Sequence, residues 1–399
     1  ASVLDPGFAP RLQAQSLNRS APMRQAMVNF GDAQYVSYMT MGKQVIAGIL
    51  DTGSFELVVF GSDCTSCGVA AHYNQHLSET FQAGKLFTQQ NYGSGGTICA
   101  EGWEHVSIGP YPASKQMFWN VQRAQMPILG NAAFEAVIGV GPSESPLAEI
   151  WDQTETFINN VTDFYEDGQD APVASVTSAR DMVDIALHMG KSPPMLHNLG
   201  VQTFSVCMGA EPGSDGVFIW DDNAAQEQPD LFTRVPVTGK HTWAANLSDA
   251  RLTPIDGGDS TKIGCEGGCE AIIDSGTSLL AVPSSVIHTI EVAMTALDKS
   301  CSNLDVLPDL VFNLGGQKFS LPPSAYVAKM VGDVPSYIQQ QVPKATDARE
   351  CSLMLMDTGG TGMSQLWILG VPFFRKYYTT FSVGAAQGER TLYIAEASQ

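Results

Sequence analysis

Asp51 and Asp274 combine residue type and context in a way that can do chemistry. Each follows two aliphatic residues, Ile49 and Leu50 in the first case, Ile272 and Ile273 in the second. Each precedes a hydroxyl residue, a glycine and another hydroxyl residue: Thr52, Gly53 and Ser54, then Ser275, Gly276 and Thr277. A strand ending in two aliphatic side chains buries its end, and a lone ionised carboxylate there is costly. Two such carboxylates set face to face can share one proton, because like charges a few ångströms apart do not both ionise cheaply. Such a pair can hold a water, take its proton as the oxygen attacks an amide carbonyl, and return a proton to the departing nitrogen. The expected chemistry is peptide hydrolysis without metal, cofactor or covalent intermediate. Ser54 and Thr277 are placed to donate to the outer carboxylate oxygens, and Thr52 and Ser275 to tie each turn to the opposite half. Gly53 and Gly276 keep the turns tight.

The elements that must position these turns are repeated as well. "ILDTGSFELVV" (49–59) aligns without a gap on "IIDSGTSLLAV" (272–282), and each copy is followed by an aliphatic segment ending in glycine, "AVIGVG" and "LWILGVPFF". Gly139 lies 88 residues after Asp51, and Gly370 lies 96 after Asp274. One such four-residue motif arises by chance in about one chain of this size in thirty; two with matched flanks and matched downstream strands indicate a duplicated lobe. Between the landmarks run short apolar or alternating segments separated by Gly, Pro, Asn and Asp, which predicts an all-β fold. Helical periodicity is confined to a few stretches, among them 145–165 and 284–297.

Composition narrows the partners. The chain has 399 residues, enough for two cores. Its 41 Asp and Glu against 21 Lys and Arg give a net charge of −20, which disfavours nucleic acid and anionic membranes. No apolar run is long enough for a spanning helix. Eight cysteines and the sequons at Asn18, Asn160 and Asn246 fit an oxidising secretory route, leading outside the cell or to an acidic vacuole or lysosome-like compartment. A monomer acting on peptide or protein substrates is expected.

With these residues in place, the sequence resembles the pepsin-like aspartic proteases over residues 34–395. The resemblance implies two pseudo-symmetric β-barrel-like lobes with a cleft between them, an acidic pH optimum, and Asp51 and Asp274 as the catalytic dyad. "QNYGSGGT" (90–97) is similar to the family's flap hairpin, implying that Tyr92 covers bound peptide and that Gly93, Ser94, Gly95 and Gly96 let the tip bend. Carried over by position, Ile49, Tyr92, Ile128, Phe134 and Val137 line the pocket for the residue before the cleaved bond, favouring apolar or aromatic side chains. The resemblance also implies disulfides Cys64–Cys67, Cys265–Cys269 and Cys301–Cys351, leaving Cys99 and Cys207 unassigned.

Several features depart from the family pattern. Val58 stands where many relatives carry a tryptophan whose indole supports the flap tyrosine, so a looser flap or another tyrosine partner is expected. Phe55 adds bulk near the cleft. Residues 143–192 are longer than the family loop and are expected as surface helices inserted in the first lobe. The expected organisation is an N-terminal extension or prosegment remnant (1–33), an N-terminal lobe (34–222) and a C-terminal lobe (223–399). A non-catalytic protein of the same fold, used for binding or structure, is the rival expectation; the surviving dyad, hydroxyls and flap tyrosine argue against it.

Overall fold

The computed structural model describes residues 22–142, 144–166, 172–294, 297–298, 300–328, 351–358, 365–384 and 386–397. Strands dominate, as the alternating segments predict, and form a 13-stranded sheet, an eight-stranded sheet and a two-stranded ribbon.

The two acidic turns are built the same way. The strand Gln44–Asp51 runs parallel to Ala136–Gly139, with Asp51 opposite Gly139. In the second half Cys269–Ile273 runs parallel to Leu366–Leu369, and the Asp274 amide donates to the Leu369 carbonyl at 3.0 Å. Parallel strands buried on both faces read as unbroken aliphatic runs, which is how both pairs read in sequence. The glycine closing each second strand is sterically required. A Cβ on Gly139 would lie 2.6 Å from the Glu56 backbone, and one on Gly370 2.2 Å from the Thr277 and Leu279 carbonyl oxygens.

The halves join through a shared platform. In the large sheet, Thr203–Met208 and Gly216–Trp220 continue into Tyr377–Ser382, Thr391–Glu396 and Thr233–Pro236 from the far end of the chain. Phe204 stacks between Phe218 at 5.1 Å and Phe381 at 4.8 Å, so the core is continuous across the platform. Residues 1–33, expected as an extension, include a strand of this sheet: Met23–Phe30 pairs with Gly216–Trp220 and with Gln34–Met41. A second core cluster contains Ile49, Val58, Trp119 and Val137.

The segment 143–192 contains two helices, α1 spanning Ser145–Glu166 and α2 spanning Val173–Met189. It is more than a surface decoration, because Ile150 and Ile185 pack against the second core cluster and Met189 belongs to it. The expected helix at 284–297 spans Ser284–Ala293. The disulfides Cys64–Cys67, Cys265–Cys269 and Cys301–Cys351 are formed, while Cys99 is a buried free thiol and Cys207 a partly buried one. Asn246 is exposed on the strand Ala244–Thr253; Asn18 and the Asn160 side chain lie outside the described residues.

Candidate active site

The two turns meet between the halves. Hydroxyls and amides lock them reciprocally. Thr52 Oγ1 donates to the Ile273 carbonyl at 2.7 Å and accepts from the Ser275 amide at 2.8 Å. Ser275 Oγ donates to the Leu50 carbonyl at 2.5 Å and accepts from the Thr52 amide at 3.1 Å. Thr52 and Ser275 are buried, so these bonds satisfy groups that water cannot reach.

The carboxylates are held from their own turns. Asp51 Oδ1 accepts from the Gly53 amide at 2.9 Å and its Oδ2 from Ser54 Oγ at 2.5 Å. Asp274 repeats the pattern with the Gly276 amide at 2.7 Å and Thr277 Oγ1 at 2.5 Å. Glycine at the third motif position lets the carboxylates approach. A Cβ on Gly53 would sit 2.5 Å from Asp274 Cγ, and one on Gly276 2.3 Å from Asp51 Oδ1. Both aspartates are 8% exposed. Burial, followed by the charge and hydrogen bond of Asp274, raises the Asp51 carboxyl well above the usual aspartate range. Asp51 therefore favours its protonated form beside Asp274.

The site opens into a cavity of about 790 Å³ that contains both aspartates and all five expected pocket residues, Ile49, Tyr92, Ile128, Phe134 and Val137. Phe55 lines it as well. The flap is a hairpin of Gln82–Tyr92 and Gly95–Ile108, with Tyr92 opposite Gly95 and Gly93–Ser94 at the tip. Gly95 has φ +135° and no room for a Cβ, which would lie 2.1 Å from the Gln125 carbonyl oxygen. A Cβ on Gly93 would meet nothing within 4 Å, so this tip position faces open space. Burial raises the Tyr92 phenol well above its ordinary value, with Glu56, Cys99 and Asp51 adding to the effect.

Two cleft residues escaped the sequence reading. Glu56 accepts from the flap residue Gln90 at 3.1 Å, and burial raises its carboxyl to about 7, with the charge of Glu149 acting in the same direction. Its position two residues beyond Ser54 is the signal that was available. The other is Trp119, which lies directly opposite Val58 in the parallel pair Leu57–Phe60 and Tyr111–Gln125. Its indole Nε1 is buried with no hydrogen-bond partner among the described residues. Val58 removes the usual tryptophan, yet an indole stands beside it on the neighbouring strand.

The chain is similar to known proteins. Residues 34–169 and 195–389 match the model of the family described as eukaryotic aspartyl protease. Pepsin A of Bos taurus is 27% identical over 374 residues, covering 91% of this chain and 85% of the relative. Pepsin A of Sus scrofa is 27% identical over 364 residues, covering 88% and 80%. Pepsin II-2/3 of Oryctolagus cuniculus is 26% identical over 368 residues, covering 90% and 80%.

Proposed function

The chain belongs to the eukaryotic aspartyl protease family, and on that premise we propose that Asp51 and Asp274 share one proton and together activate a water for peptide-bond hydrolysis. The observation that carries this reading is the reciprocal packing of the two turns, in which the glycine of each leaves room only for the carboxylate of the other. One carboxylate takes the water's proton as the oxygen attacks the carbonyl, and the other protonates the departing nitrogen. Ser54, Thr277 and the glycine amides orient the carboxylates throughout.

Tyr92 and the tip Gly93–Ser94 close over the peptide and exclude water. Ile49, Ile128, Phe134 and Val137 receive an apolar or aromatic side chain beside the cleaved bond. The enzyme works as a monomer in an acidic part of the secretory route, with the lobes dividing near residue 222 and Asn246 carrying a glycan. The raised Asp51 carboxyl supports a pair that keeps one proton, and activity fades with rising pH because that state is lost once both groups ionise.

The test is digestion of an unfolded protein at several values from pH 3 to pH 8, with and without a statine-type transition-state analogue. Cleavage in acid that the analogue suppresses is expected. Silence at every pH would favour a non-catalytic binding protein instead.

A further inference from the structure

We infer that the inserted α1–α2 hairpin forms the wall of an additional substrate subsite, one that takes a large apolar side chain of the bound peptide away from the cleaved bond. This rests on the protease reading above and extends it. The cavity that holds Asp51 and Asp274 is bounded on one side by Ile150 of α1 and by Met182, Ile185 and Met189 of α2. Spacings of three and four residues put the α2 side chains on one helical face, so that face is turned toward the cleft. Leu86 of the flap hairpin lines the same cavity.

The wall is fixed to the flap hairpin. His188 Nε2 lies 2.7 Å from Oε1 of the buried Glu101, whose other oxygen accepts from the Lys85 and Leu86 amides at 2.8 and 3.2 Å. Thr154 Oγ1 donates to the Ile150 and Met182 carbonyls, tying the helices together. A peptide lying across the dyad therefore meets a pre-positioned apolar surface continuous with the catalytic cavity. Glu56 and Glu149 line that cavity as well, and among its described lining residues there is no Lys, Arg or His. An acidic side chain finds no cationic partner there and must give up water against an apolar wall, so an aliphatic or aromatic one is favoured. Because the family match stops at residue 169 and resumes at 195, α2 lies outside it. The α2 part of the wall is thus particular to this chain, while Ile150 and Leu86 lie in residues that the family model matches.

The test uses a peptide set with a fixed apolar pair at the cleaved bond and either Leu or Asp at each other position in turn, read as kcat/KM. In the wild type, Leu is preferred to Asp at one position by about tenfold or more. The double variant Met182→Ser, Ile185→Ser and the separate variant Ile150→Ser each shrink that ratio several-fold, while the ratios at other positions hold. If the wild type cleaves the set and neither variant alters any ratio, the subsite is refuted while the protease reading stands. If the wild type cleaves no peptide at any pH, the protease reading fails and the subsite falls with it.

Discussion

Residue chemistry is concentrated in groups that burial has displaced from their ordinary behaviour. Thr52 and Ser275 each satisfy buried groups of the opposite turn, so Thr52→Ala leaves the Ser275 amide and the Ile273 carbonyl without their side-chain partner. We expect a loss of about 2 kcal/mol in denaturant unfolding together with a fall in cleavage rate, and retention of both in Thr52→Ser. Trp119 makes the opposite case. Its buried indole N–H has no partner among the described residues, so Trp119→Phe is expected to leave stability unchanged or raise it by about 1 kcal/mol; a large loss would mean that the indole is satisfied in solution. Glu56 fixes a sign. Its carboxyl is raised from an ordinary 4.5 to about 7, so its contribution to stability is fully present below about 4.5 and is lost as pH climbs through 7. The melting temperature should fall over that window, and Glu56→Gln should flatten part of the fall.

Element by element, legibility in the sequence followed the range of the interactions. Two aliphatic residues before an acidic turn, and an aliphatic run ending in glycine, are local marks of a buried parallel strand, and both pairs were readable for that reason. The strand Met23–Phe30 was not. Only its end, residues 28–30, pairs locally with residues 34–36, while residues 23–27 pair with Gly216–Trp220 nearly two hundred residues away, and a pairing that distant leaves no local trace. Helical periodicity predicted helices in 143–192 but not their docking, which depends on His188 meeting Glu101 and on Met189 entering a core formed elsewhere. Trp119 was missed likewise, since only the register of non-sequential strands brings it beside Val58. The Cys301–Cys351 bridge closes a separation of 50 residues. Replacing both cysteines by serine is expected to cost about 2 to 4 kcal/mol, measured by reversible unfolding under non-reducing conditions.

At the scale of the whole molecule, two similar halves supply one acid group each, and a shared sheet holds those groups together. The aromatic stack of Phe218, Phe204 and Phe381 runs through that platform, and the indole of Trp243 donates across the halves to the Val140 carbonyl at 2.9 Å. In the proposed mechanism neither lobe alone supplies the proton-sharing pair, so the activity is expected to depend on the integrity of the junction. The most direct measurement is kcat/KM on one peptide from pH 3 to pH 8 for the wild type and for Asp274→Asn. The account predicts a wild-type maximum in acid that falls toward neutrality, and a loss of about 10³-fold or more in the variant at every pH. A flat wild-type profile, or near-full activity in Asp274→Asn, would contradict it.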